Sequence, residues 1–91
     1  ILIYGTKKNT IDDLYFENVS VEVKKTSKWD CGYYDLRPCL EYGVEKQKNS
    51  AVFIRNAKNI EFCRCSLSID KSYDGYNAET DVENSEGVSF E

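Results

Sequence analysis

Residues 9–23 read Asn-Thr-Ile-Asp-Asp-Leu-Tyr-Phe-Glu-Asn-Val-Ser-Val-Glu-Val, and the same pattern returns 46 residues later. The matching pairs are Leu14 with Ile60, Phe16 with Phe62, Asn18 with Arg64, Val19 with Cys65, and Val21 with Leu67. A shorter third copy follows at an offset of 28 residues, in which Asn84, Gly87, Val88 and Phe90 match Asn56, Asn59, Ile60 and Phe62. Repetition of one short unit at such intervals is typical of a solenoid.

Each copy has the periodicity of β-structure. The apolar residues alternate with polar ones, pause at a polar residue and then alternate again, which indicates two strands joined at a corner. Asn18 lies at such a corner, where asparagine tolerates the left-handed conformation and can bond to its counterpart in the next copy. No window has a sustained helical rhythm. The sequence therefore predicts an all-β solenoid of about three coils, with almost no helix.

The strands that flank these copies are short. Residues 1–4 predict a buried strand that ends at Gly5, and residues 6–13 predict a polar turn before Leu14. Val52 to Ile54 open the second unit. We expect Phe16, Phe62 and Phe90 to stack on parallel neighbouring strands.

The chain of 91 residues suits a single domain, residues 1–91, with an insertion at residues 24–50. The repeat begins at the first residue and stops at Glu91 before its second strand, and the sequence contains no Met. We therefore expect the C-terminal part of a longer chain, stacked on upstream coils of that chain, or a module that stacks on another chain.

The charge distribution limits the partners. The net charge is −4, and residues 70–91 hold seven acids against one base. Nucleic acid requires a basic surface, so we expect no nucleic-acid partner. No apolar stretch has the length needed to span a bilayer, so we expect no membrane partner.

The insertion carries the best candidates for binding. Trp29, Tyr33 and Tyr34 offer flat apolar faces that suit sugar rings, and Arg37 can grip a carboxylate with two hydrogen bonds. The alternative is that these aromatic residues pin the insertion onto the strands as a small satellite core. We predict a substrate-binding role for Trp29, Tyr33, Tyr34 and Arg37.

Metal binding has little support in the sequence. Asp70, Asp74 and Glu79 do not have the spacing of a calcium loop. The cysteines, Cys31, Cys39, Cys63 and Cys65, have no Cys-x-x-Cys spacing, and the chain has no histidine. Cys31 and Cys39 could pair, whereas Cys65 is expected in the core. We expect no cofactor and no metal.

The chain resembles the C-terminal coils of the family-28 glycoside hydrolases, the polygalacturonase-like enzymes. The residues that carry the resemblance are Ile11 to Val21, Gly32 to Pro38, Val52 to Phe62 and Asp81 to Phe90. It implies a right-handed parallel β-helix and, for the parent enzyme, hydrolysis of pectic polysaccharide of the galacturonic-acid type with inversion of configuration.

The catalytic motifs of that family are not matched. Its Gly-His-Gly segment has no counterpart in a chain without histidine, and residues 55–58 have the wrong spacing for its Arg-x-Lys segment. Asp12 and Asp13 do not match its paired aspartates, because consecutive strand residues would face opposite sides and because both also fall in the predicted turn before Leu14. No catalytic residue is therefore carried over, and we expect the isolated chain to be inactive. The alternatives are a non-catalytic carbohydrate-binding or structural β-helix module, and a small β-sandwich adhesion domain.

Overall fold

The computed structural model describes residues 1–26, 28, 31–37 and 43–91. These residues form ten strands and no helix, as predicted. The strands are β1 (Leu2–Tyr4), β2 (Ile11–Glu17), β3 (Ser20–Val23), β4 (Tyr33–Asp35), β5 (Val44–Lys46), β6 (Val52–Arg55), β7 (Ala57–Cys63), β8 (Ser66–Ile69), β9 (Thr80–Glu83) and β10 (Glu86–Phe90).

Most strands belong to three parallel sheets. Sheet A has the order β1-β6-β9, sheet B has the order β10-β7-β2, and sheet C pairs β3 with β8. The chain therefore runs through the sheets in the order A, B, C, then A, B, C again, and finally A, B. We call these the first, second and third passes. None of the described sheets closes on itself.

The strand register reproduces the sequence repeat. Leu14 pairs with Ile60 and Val21 with Leu67, as the 46-residue offset predicts. Val88 also pairs with Ile60, as the 28-residue offset predicts. In sheet A, however, the first two passes are offset by 51 residues, as for Tyr4 and Arg55. The first pass has a longer connection between sheets A and B, which the repeat in residues 9–23 does not reveal.

Left-handed residues recur at equivalent positions of the passes. Asn18 and Arg64 have φ values of 58° and 53°, and Arg64 Nε donates to Asn18 Oδ1 at 3.2 Å. The predicted corner and its bond along the stack are thus confirmed. A second column, Asp13, Asn59 and Gly87, has φ values of 61°, 58° and 66°.

This second column lies within strands and bends them. Asp13 interrupts β2, so that Ile11 and Leu14 both pack on the core while Asp12 and Asp13 are both exposed. The expectation that Asp12 and Asp13 face opposite sides was therefore wrong, because strict alternation requires an uninterrupted extended backbone. The predicted turn over residues 6–13 also ends earlier, since β2 begins at Ile11.

The core lies between the three sheets and centres on the second pass. Ile3, Val52, Ile54, Ala57, Ile60 and Phe62 form its buried cluster. The Phe62 ring stacks on Phe16 at 4.5 Å and on Phe90 at 4.9 Å between centroids, which confirms the predicted column. The prediction that residues 1–4 are a buried strand is correct for Ile3 alone. Leu2 is 42% exposed because it faces away from the core at an edge of its sheet.

The insertion forms an antiparallel hairpin of β4 and β5. It lies over the outer side of sheet A, where the Tyr34 ring is 4.9 Å from Phe53. Phe53 is consequently fully buried although it is flanked by the core residues Val52 and Ile54. Among the described residues there is no helix that is long and apolar enough to cross a membrane.

Candidate functional site

A groove runs along the corner between sheets A and B. It has two lobes of about 360 Å³ and 450 Å³, which share Lys7 and Asn56. The first lobe is further lined by Thr10, Ala57, Lys58, Asn84, Ser85 and Glu86. The second is further lined by Tyr4, Thr6, Lys8, Asn9 and Arg55. We call this feature the corner groove.

The connection between β1 and β2 builds one wall of the groove. The Thr6 amide donates to the Asn9 carbonyl at 3.0 Å, and the Asn9 amide donates to Thr6 Oγ1 at 2.9 Å, which closes a tight turn. Gly5 begins this connection because a Cβ atom there would clash with the carbonyl oxygen of Asn56. The turn therefore presents Lys7 and Lys8 at the groove.

The floor of the groove is a chain of amide side chains. Asn84 Nδ2 donates to Asn56 Oδ1 at 2.5 Å, and Asn56 Nδ2 donates to the Gly5 carbonyl at 3.0 Å. Asn56 and Asn84 have φ values of 54° and 45°, a conformation that asparagine tolerates better than most residues. One residue from each pass thus contributes to a continuous polar line across the sheets.

The groove is electrostatically positive on its first-pass side. Within the described part of the chain, neither Lys7 nor Lys8 forms an ion pair, and both are exposed. Lys58 lies 3.8 Å from Glu86 in a solvent-exposed pair. Exposed ion pairs of this kind contribute little free energy to stability. Lys58 can therefore release Glu86 and pair with a ligand carboxylate instead.

Arg55 adjoins the second lobe, but carboxylates already occupy its guanidinium. It pairs with Glu45 at 2.5 Å and with Glu83 at 2.6 Å, and its side chain is only 19% exposed. It also donates to Gln47 Oε1 at 3.0 Å. Partial burial opposes the charge, yet the hydrogen bonds to Glu45 and Glu83 raise the pKa of Arg55 above its ordinary value. Arg55 therefore fastens strand β5 to sheet A.

Tyr4 links this cluster to the groove. Its hydroxyl donates to Glu45 Oε2 at 2.7 Å and accepts from Arg55 Nη1 at 2.6 Å. Partial burial and the neighbouring Glu45 raise the pKa of Tyr4. The hydroxyl thus stays protonated at neutral pH, and the ring forms part of the second lobe.

Of the predicted binding residues, Arg37 is held by its own neighbour. Its Nη2 and Nε donate to the two carboxylate oxygens of Asp35 at 2.7 Å and 2.9 Å. These bonds lower the pKa of Asp35 to about 2. A ligand carboxylate at Arg37 must therefore compete with Asp35.

Tyr33 and Tyr34 lie on opposite faces of β4. Tyr33 is 47% exposed, whereas the Tyr34 ring packs on Phe53 and its hydroxyl accepts the Ser50 amide at 3.0 Å. Tyr34 has the position that the satellite-core alternative describes, whereas about half of the Tyr33 side chain is exposed among the described residues. Trp29 lies outside the described residues, as does Cys39. The substrate-binding role of Trp29, Tyr33, Tyr34 and Arg37 stays a prediction.

The groups that line the groove can form hydrogen bonds and ion pairs with a polar ligand. Lysines suit carboxylates, while hydroxyl and amide groups suit sugar hydroxyls. Glu86 is the one acid among the residues described as lining either lobe, whereas inverting hydrolysis requires two carboxyl groups. In the described ranges, no group of three or more Cys, Asp, Glu or His residues could hold a metal ion.

Sequence reasoning missed the corner groove. The signal was present in the polar residues 6–10 and in the recurrence of Asn56 and Asn84, which were assigned to a turn and to the repeat. Residues 6–10 and Asn56 lie side by side because residues 2–4 pair with residues 53–55 in sheet A, at an offset of 51 residues. The two segments are only weakly similar in sequence, so this offset is hard to recognise. No family model, no curated protein and no solved structure matches the chain.

Proposed function

We propose that this chain is a segment of a right-handed parallel β-helix from a glycoside hydrolase that acts on pectic polysaccharide, and that the corner groove binds the substrate's uronate units. The recurring order of sheets A, B and C supports the solenoid part of the proposal. The stacked column of Phe16, Phe62 and Phe90 supports it further, because equivalent residues of successive coils lie above one another in such a fold.

One observation carries the substrate class: Lys7 and Lys8, which form no ion pair with any described residue, stand at a groove that amide and hydroxyl groups line. Lys7 borders both lobes. A chain of acidic sugars that lies along the groove would therefore contact Lys7 whichever end of the sugar chain comes first.

The alternative function is a non-catalytic carbohydrate-binding module, and the composition of the groove favours it for the isolated chain. Glu86 has no carboxylate partner among the lining residues, so the groove holds a sugar without the paired acids that cleavage requires. In the hydrolase, those acids would come from upstream coils. For the hydrolase, we expect a reading frame that continues upstream of Ile1 and encodes coils with histidine and paired aspartates. A start codon at that point would favour the binding module.

The test of the substrate class is titration of the intact chain with oligogalacturonate, followed by calorimetry. The double variant Lys7→Ala/Lys8→Ala should lose on the order of tenfold in affinity, because each exposed cation contributes about 0.5–1 kcal/mol. The matched control is Lys48→Ala/Lys71→Ala, whose lysines pair with Asp74 and Glu79 away from the groove. This control should bind as the original chain does.

A second probe separates charge from shape. A fully methyl-esterified oligogalacturonate lacks the carboxylates and should bind much more weakly at low salt. Equal affinity for both oligosaccharides, or no loss in the Lys7→Ala/Lys8→Ala variant, would overturn the proposal for uronate. We also expect no release of reducing ends from polygalacturonate by the isolated chain, and measurable release would contradict that expectation.

A further inference from the structure

The third pass exposes apolar side chains at positions whose equivalents in the second pass are buried. Val82 and Phe90 are 40% and 39% exposed, whereas Ile54 and Phe62, their register partners in the second pass, are fully buried. The reason is position: β9 and β10 are the edge strands of sheets A and B, so one side of each has no described strand beside it. Their backbone groups and apolar side chains together form a surface that can accept a parallel strand.

Two basic residues of the second pass face acids of the third pass across paired strands. Lys58 of the second pass lies in register between Asp12 of the first pass and Glu86 of the third. Arg55 likewise lies between Tyr4 and Glu83. In the second pass the bases Arg55, Lys58 and Arg64 outnumber the exposed acid Glu61. The charged residues of the third pass are all acids, which are Glu79, Asp81, Glu83, Glu86 and Glu91.

A second copy of the chain fits this surface in shape but not in charge. Placing the first pass of one copy on the third pass of another, in the register seen within the chain, stacks Phe16 on Phe90 and Leu14 on Val88. The same register sets Asp12 beside Glu86 and Glu17 beside Glu91, at the spacing of about 4.8 Å between paired strands. Like charges that face each other on neighbouring strands are destabilising.

We propose that the outer edge of β9 and β10 is a docking site for a parallel β-strand with basic outward side chains, and that its acids exclude a second copy of the chain. The occupant resembles the second pass in having apolar residues that meet Val88 and Phe90 and a basic residue that meets Glu86. It differs in having a second basic residue opposite Glu91, where the second pass has Cys63. The inference stands on the register, exposure and charge of the strands and is independent of the sugar proposal.

The first test is self-association measured by sedimentation. The original chain should remain monomeric at low salt, since its like charges interact over the long Debye length of about 30 Å at 0.01 M. The variant Glu86→Lys/Glu91→Lys should form head-to-tail oligomers under the same conditions. The control Glu61→Lys/Asp74→Lys changes the net charge equally, away from the facing columns, and should stay monomeric.

Two further variants keep this test decisive. Asp12→Lys/Glu17→Lys converts the opposite end and should also oligomerise, so the test does not depend on the folding of one variant. Adding Phe90→Ser to either converted chain should abolish the oligomers. Monomeric behaviour of both converted variants with native circular dichroism, or equal association of the original chain at low salt, would overturn the proposal.

The second test uses a peptide with the sequence of residues 55–64, with Cys63→Ser to prevent oxidation. It carries the basic residues and the apolar pair of the second pass, and it should shift the NMR signals of Val88 and Phe90 in the intact chain. A peptide with Arg55, Lys58 and Arg64 replaced by Glu should bind on the order of tenfold more weakly. Equal binding of the two peptides, or none by the basic one, would contradict the proposed chemistry.

Discussion

The second and third passes carry the same apolar pattern and yet differ in burial. Ile60 and Phe62 are fully buried, whereas Phe90, in the same column as Phe62, is 39% exposed. In sheets A and B the second pass has a neighbouring strand on each side, while the third pass has a described strand on one side only. The comparison teaches that burial in this fold is set by what lies on each side of a strand. The sequence pattern alone does not give it.

The largest expected effect is at the stacked phenylalanines. Phe62→Ala should lower the free energy of unfolding by about 3–5 kcal/mol, because it opens a cavity between two rings. Phe90→Ala should cost only about 1 kcal/mol, since its ring is already partly in water. Urea denaturation of the two variants measures the difference. Similar losses for both variants would break the comparison, because the two positions would then be equivalent.

The asparagine floor should show the same contrast on a smaller scale. Asn56→Ala should destabilise the chain by about 3–4 kcal/mol, from a left-handed backbone that costs about 1–2 kcal/mol and two lost hydrogen bonds of about 1 kcal/mol each. Asn56→Gly keeps the backbone conformation and should cost about 1 kcal/mol less. Asn84→Ala, on the third pass, should cost less than Asn56→Ala by thermal denaturation. An equal or larger loss at Asn84 would contradict this ranking.

The smallest effect concerns the hairpin on the outer side of sheet A. Partial burial acts against the charge of Glu45, but hydrogen bonds from Tyr4 and Arg55 hold its pKa below the ordinary value. A lowered pKa means that Glu45 stabilises the hairpin fully above its ordinary pKa of about 4.3, and that this contribution is lost as the pH falls through the folded value. We expect the NMR signals of Tyr34 to change below that pH while those of Phe62 stay constant.

The control for this titration is Glu45→Gln, which removes the titrating carboxyl and should abolish the change. Hydrogen bonds from Arg37 lower the pKa of the neighbouring Asp35 to about 2, and Asp35 is retained in Glu45→Gln, so a change that persists in this variant would belong to Asp35. A simultaneous change at Tyr34 and Phe62 would mean that the hairpin and the sheets unfold as one unit.

The columns of the fold could be predicted because each depends on side chains that repeat. Leu14, Ile60 and Val88 are all apolar, so alternation and offset together gave their register. The left-handed column of Asp13, Asn59 and Gly87 was harder to recognise, although its members are all residue types that tolerate positive φ. Three different residues share one backbone requirement there, and a search for similar side chains does not detect it.

The sequence pattern was also insufficient to place the cysteines and the corner groove. Cys63 and Cys65 are two residues apart and would share a face on an uninterrupted strand, but the left-handed Arg64 separates them. Cys65 packs on the core as predicted, while Cys63 ends strand β7. Position in the sequence likewise drew attention to the aromatic insertion, whereas the corner groove arises where three distant segments meet.

The connection between sheets A and B varies in length without disturbing the sheets. The first pass uses residues 5–10 there, and the second uses Asn56 alone, yet Ile3 still pairs with Ile54 and Leu14 with Ile60. Chain length at this bend is thus uncoupled from the hydrogen-bonded ladders on either side. The bend is accordingly a place where evolution or a protein engineer can exchange whole peptide segments, and so alter the lining of the corner groove, while the scaffold keeps its shape.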